Sequence, residues 1–371
     1  MKIEFFRHGI NDEDIERANK VLKSIFLTNA HVTEEFERKF AEYLGIRHCV
    51  AVNSCTAALH LSLLALGIGE DDEVITTPLS FVATANAILH AGARPVFIDV
   101  EKETGNIDVA KIEEKITGKT KAIIPVHLYG NMTDIKRIRK IADKYNLKVI
   151  EDSAHCIEGM REDIRPGELS DSACFSFYAT KNITSGEGGA IVCHDKELAE
   201  KFYMLRLHGI DKDASSRYTK RYSHWDMKLL GFKYNISDIQ SALLIGQLER
   251  IEDNLARREE IAFFYEREFD RLGIDYIKVP KNTKSARHLF AVLVNNRDEV
   301  LVKLQKAGIG VAVNYRPIHL HTYYKDTFGY KDGDFPIAEY IGERTISLPL
   351  YPGLTDKETE YIVNTLKNIA K

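Results

Sequence analysis

Nowhere in this chain of 371 residues do 18 apolar residues follow one another, so no membrane-spanning helix is expected. The opening stretch, Met1 to Arg7, has no apolar core of the secretory type, and a cytoplasmic protein is expected. Cysteine is sparse: Cys49, Cys55, Cys156, Cys174 and Cys193 are odd in number, scattered, and never in a C-x-x-C pair. That argues against a disulfide framework and for reduced thiols. Neither sign of charge dominates, since 51 Lys+Arg stand against 55 Asp+Glu for a net charge of -4. A general nucleic-acid binder would carry a basic excess or stripe. There is no low-complexity tract, internal repeat or Pro/Gly-rich linker. What remains is an ordinary globular composition, 44% hydrophobic and 29% charged, long enough for two domains.

The first 200 or so residues alternate short β-branched runs with helical periods. A helix starts after Asn11, with Ile15, Ala18, Leu22 and Ile25 as its apolar stripe. Strands are predicted at Cys49–Val52, Glu73–Thr76, Pro95–Ile98, Lys121–Val126, Lys148–Ile150, Cys174–Phe177 and Ala190–Val192. Helices between them run over Thr56–Leu66, Phe81–His90 and Asp134–Tyr145. Alternation of this kind implies βαβ crossovers and a mostly parallel sheet covered by helices, with ligands at the carboxyl ends of the strands. Later, one long helical pattern from Ser237 to Asp270 leads into short strands at Leu289–Val294 and Gly310–Val313 and a last helix near Thr355. The fold class is therefore α/β: a large domain over residues 1–245 and a smaller C-terminal α+β domain over 246–371.

Several familiar motifs fail. Gly118-Lys119-Thr120 has Glu113 where a phosphate loop needs glycine, and Gly67-Ile68-Gly69 lacks the third glycine of a dinucleotide fingerprint. His319-Leu320-His321 has no further ligand at metal spacing, and there is no G-x-S-x-G elbow, so no metal site is expected.

Four features survive, all at predicted carboxyl ends of strands. Asn53 to Ala58 opens a helix with small residues, whose free N–H groups and dipole suit a phosphate, or plain packing. Asp152 ends an apolar strand and needs a partner there, a cap, an ion pair or a ring-nitrogen cation. Lys181 follows Phe175-Ser176-Phe177 and precedes a glycine-rich turn, a place for Schiff-base chemistry, although most lysines are solvated charges. Phe81 heads a helix, able to stack on a flat ring or to pack in the core. Taken together they describe one ligand, pyridoxal 5'-phosphate, whose protein partners are a lysine on the aldehyde and an acid on the ring nitrogen.

In these stretches, at 50–57, 75–86, 121–130, 149–155 and 174–189, the sequence resembles the DegT/StrS sugar-nucleotide aminotransferases, pyridoxal-phosphate enzymes of fold type I. The likeness runs from Leu27-Thr28 to Ser347-Leu348-Pro349-Leu350. It implies that Lys181 carries the cofactor and Asp152 holds its ring nitrogen, that Phe81 stacks on the ring, and that Thr56, Ala57 and Ser176 bind phosphate. Gly231 to Asp238 matches a segment that reaches the neighbouring subunit, so Asn235 would complete the partner's phosphate site in a homodimer. His155 would lie by the cofactor ring or the sugar, and Tyr178, Tyr315 and His319 would face substrate. Arg206, Arg217, Arg221 and Lys228 are candidates for a diphosphate, each reading singly as a surface charge, and Trp225 for a sugar or base ring or for packing.

The resemblance implies amino-group transfer from L-glutamate to a keto sugar linked to UDP, GDP or dTDP. Asn182 to Gly189 is similar to members that aminate carbon 4 of 4-keto-6-deoxy sugars. Members acting on carbon 3, dehydratases with histidine in place of the lysine, and a non-catalytic cofactor-binding regulator are the alternatives.

Overall fold

A computed structural model describes residues 1–211 and 224–369. Arg217 and Arg221 lie outside the described residues. The core is a seven-stranded sheet, ordered β1 (His48–Val52), β8 (Gly189–Cys193), β7 (Ser172–Ser176), β5 (Lys148–Asp152), β4 (Thr120–Ile123), β2 (Glu73–Thr76) and β3 (Arg94–Phe97). Only β8 is antiparallel to its neighbours, so the expected mostly parallel sheet is present. Its strands are Val/Ile/Ala runs buried on both faces, as a sheet covered on both sides requires.

The local rules of the sequence hold at most helix starts. Asn11 caps α1 (Asp12–Leu22) in a reciprocal box with Asp14, Ser54 caps α3 (Cys55–Ala65), and Asp134 caps α5 (Ile135–Tyr145). The stripe expected on α1 is out of phase, however. Ala18 is buried, but Ile15 and Leu22 are exposed, Ile25 beyond the helix is 92% exposed, and Asp14 faces inward. The cause is remote: Asp14 pairs with Arg250, and Gly246 leaves the room for it. The long helical pattern is also two helices, α7 (Asp238–Glu249) and α8 (Ile251–Leu272), broken at Arg250, whose guanidinium bonds Asp14 and the Gly9 carbonyl.

α2 (His31–Leu44) has no cap of its own. Its start is held by buried Asp238, which accepts from the N–H groups of Ala30 at 2.8 Å and Thr33 at 3.0 Å and from the Thr33 hydroxyl at 2.7 Å. Asp238→Ala strands these donors, and an unfolding midpoint in urea corresponding to a loss of about 3 kcal/mol is expected; a shift below about 0.5 kcal/mol would refute the role.

The second core gathers Ile261, Tyr265 and Phe269 of α8 with β11 (Phe290–Leu293), β12 (Thr345–Leu348) and α12 (Asp356–Ile369), and Ile3 packs into it from the far end of the sequence. Ile251, on the same helix α8, belongs to the core under the sheet. Gly310–Val313 is not a strand: only single bridges, Ile3 to Ile309 and Ala312 to Ser347, form there. Among the described residues all five cysteines are buried and unpaired, no helix is long and apolar enough to cross a membrane, and no group of side chains could hold a metal ion.

Candidate active site

The carboxyl ends of β1, β2, β5 and β7 open onto a cavity of about 550 Å³. Its walls include Thr56, Phe81, Asp152, His155, Ser176, Tyr178, Lys181 and Tyr315. Eight expected site residues thus come together. Each arrives by a short route: Thr56 from the first turn of α3, Phe81 just before α4 (Ala83–His90), Asp152 as the last residue of β5, Ser176 as the last of β7.

Burial sets the electrostatics. It pushes the Lys181 ammonium down to about 8, the nearby Cys55 and Asp152 opposing only in part. Burial likewise raises the Asp152 carboxyl, against the Thr84 hydroxyl at 2.7 Å and the Ala154 N–H at 3.1 Å, which hold it ionised. His155 accepts the Tyr129 N–H at Nδ1, 3.3 Å, so its Nε2 carries the proton toward the Tyr315 hydroxyl at 3.1 Å. Burial, then the Lys181 charge and His288, hold this imidazole neutral.

The head of α3 is an anion cradle. Ser54 Oγ takes the Ala57 N–H, leaving those of Cys55 and Thr56 without a partner inside the helix. A Cβ at Gly189 would lie 2.5 Å from the Ser54 carbonyl carbon, so only glycine lets β8 start against this turn. Phe81 is 58% exposed, a flat apolar face toward the cavity. A phosphate, a flat ring with a cationic nitrogen, and an aldehyde each find the complementary group.

Three expected residues lie elsewhere. Ala57 sits behind the rim with its N–H spent on the cap. His319 is fully buried, bonded to Glu339 at 2.9 Å and packed on Phe335 in an aromatic cluster, outside the cavity lining. Asn235 is outside the cavity of its own chain and donates to Thr28 Oγ1 at 3.3 Å. Of the diphosphate candidates, Arg206 is no surface charge but is buried against Glu37, while Lys228 is exposed and paired with Asp226. Trp225 is 54% exposed. Sequence reasoning passed over Thr84, Ser80 and Asn314, which also line the cavity. It missed as well the buried His127–Glu151 pair beside Asp152, whose members are 2.6 Å apart.

Residues 8–367 match the DegT/DnrJ/EryC1/StrS aminotransferase family. The chain belongs to that family. Across 99% of its length it is 38% identical to the UDP-4-amino-4,6-dideoxy-N-acetyl-beta-L-altrosamine transaminase of Campylobacter jejuni, covering 97% of that protein. Across 90% it is 38% identical to the GDP-perosamine synthase of Caulobacter vibrioides, covering 89% of it. The Streptococcus pneumoniae protein Spr1654, solved in its PLP-form, superposes with a TM-score of 0.94 at 31% identity, covering 100% of this chain and 99% of that one. As a DegT/DnrJ/EryC1/StrS aminotransferase, this chain has the PLP-dependent transferase fold and pyridoxal 5'-phosphate as its cofactor.

Proposed function

We propose that the protein transfers the amino group of L-glutamate to carbon 4 of a nucleotide-linked 4-keto-6-deoxy sugar, giving an amino sugar nucleotide and 2-oxoglutarate. The observation that carries this reading is the placing of Lys181 and Asp152 in one cavity, roomy enough for a sugar beside Tyr178, His155 and Tyr315. Two supports favour carbon 4: the Asn182–Gly189 stretch, and the Campylobacter relative, whose name specifies a 4-amino-4,6-dideoxy sugar. Lysine rather than histidine at 181 supports transfer over dehydration.

Pyridoxal phosphate, when bound, supplies an aldehyde that takes up amino groups and a cationic ring that accepts electron density. The chain's own groups do the rest. Lys181 Nζ, partly neutral near pH 7, would hold the cofactor at its aldehyde carbon with release of water and, when free, would take up the proton leaving the donor carbon and return it to that aldehyde carbon. Asp152 would keep the ring nitrogen protonated, and Phe81 would lie against one ring face. Thr56, Ser176 and the first-turn N–H groups of α3 hold the phosphate. In a homodimer, Asn235 would complete the partner's phosphate site. Residues 1–245 would form the cofactor domain and 246–371 the smaller one.

The test is a visible spectrum of the protein loaded with pyridoxal phosphate, before and after L-glutamate, followed by incubation with GDP-, UDP- and dTDP-linked 4-keto-6-deoxy sugars and mass spectrometry. Loss of the visible band with glutamate and a product carrying an amino group in place of the keto oxygen are expected. A band that glutamate leaves untouched would overturn glutamate as donor, and an unchanged set of keto sugars would overturn the acceptor.

A further inference from the structure

Asp152 does not stand alone at the end of β5. Its Oδ2 accepts the Thr84 hydroxyl at 2.7 Å, and Thr84 Oγ1 lies 2.8 Å from Ser80 Oγ. The Phe81 carbonyl is a more distant alternative acceptor at 3.3 Å. A hydroxyl has one proton to give, and an ionised carboxylate at short range takes it. The Thr84 proton therefore points to Asp152, and Ser80 must donate to Thr84. All three side chains line the cavity, and Ser80, Thr84 and Asp152 are 4%, 1% and 5% exposed.

Thr84 sits in the first turn of α4, and its N–H donates to the Phe81 carbonyl at 3.2 Å. One helical turn thus ties the aromatic face and the carboxylate together. Without the hydroxyl, Oδ2 has no donor from the protein among the described residues, while Oδ1 keeps only the Ala154 N–H. A buried carboxylate stripped of a donor protonates or turns toward another one.

From this arrangement we infer that Thr84 is a positioning residue: backed by Ser80, its hydroxyl fixes the orientation and the ionised state of Asp152 toward the cofactor's ring nitrogen. The inference rests on the pyridoxal-phosphate role proposed for Asp152.

Holoenzyme reconstituted with pyridoxal phosphate isotopically labelled at the ring nitrogen tests it, because the nitrogen chemical shift reports whether that atom carries a proton. Wild type and Thr84→Ser should show the shift of a protonated ring. Thr84→Val, equal in shape, should move the shift toward the unprotonated value, weaken cofactor binding roughly tenfold, and lower kcat roughly ten- to hundredfold with the KM for glutamate little changed. Ser80→Ala should move all of these the same way by less. A merely packing role predicts that valine equals threonine, and an unmoved shift and kcat in Thr84→Val would overturn the inference. Should Thr84→Val not fold, an unmoved shift in Ser80→Ala overturns it instead. A wild type that retains no cofactor would bring down the parent reading as well, whereas a protonated wild type with an unaffected Thr84→Val sinks Thr84 alone.

Discussion

Lys181→Ala is expected to abolish amino-group transfer, with 2-oxoglutarate release from the proposed donor, glutamate, falling by at least about a thousandfold. Among the described residues lining the cavity Lys181 is the only primary amine, the kind of group that condenses with an aldehyde and can then carry a proton between neighbouring atoms. Among the described residues no hydrogen bond or salt bridge holds its Nζ. A lysine whose ammonium is disfavoured by burial makes the native state less stable at every pH below its unfolded value, and most so below about 8. The thermal midpoint of Lys181→Ala at pH 7 should therefore equal or exceed that of wild type. Inactivity with a lowered midpoint would point to a structural role.

The same depressed value fixes a pH dependence. The rate at which apoprotein takes up pyridoxal phosphate should climb with pH and level off above about 8, as the amine loses its proton. A climb continuing past pH 10 would mean an ordinary, solvated lysine.

Asp152→Asn is expected to cost two to three orders of magnitude in the rate of the glutamate half-reaction, measured in a single turnover. Asparagine keeps the shape and the Ala154 contact but offers no negative charge to a ring nitrogen. On the proposed reading, that buried charge would hold the ring in its electron-accepting form, and losing roughly 3–4 kcal/mol of transition-state stabilisation corresponds to this fall. Asp152 also closes the turn at Ser153 and Ala154 by accepting the Ala154 N–H at Oδ1, a duty that asparagine can keep. Activity within tenfold of wild type would leave capping as its only role.

The mostly parallel sheet was legible because each strand is a short run with an apolar centre between turn residues. Asp152 and Lys181 were legible for the same reason: each follows such a run, where a charge is conspicuous. What escaped the sequence depended on partners far along the chain. The phase of α1 is set by Arg250, and the break in the long helical pattern comes from that residue's contacts with Asp14 and Gly9. His319 looked like a loop histidine because its partner Glu339 and the rings of Phe335 and Tyr330 come later in sequence. Thr84 was hidden by its ordinariness, since a hydroxyl at the start of a helix reads as a cap.

Asp238, as the clamp on α2, has a consequence for how the polypeptide matures on the ribosome. The start of α2 has no capping group until a residue some two hundred positions later has been made, Asp14 waits for Arg250, and Ile3 waits for Ile309. By contrast, the seven strands of the central sheet all lie in one contiguous stretch, 48–193, and pair among themselves. The segment ahead of the sheet is thus among the last to settle. Residues 3–33 stay available to chaperones while the sheet assembles behind them, and their distant contacts close only once residues 238, 250 and 309 have been made.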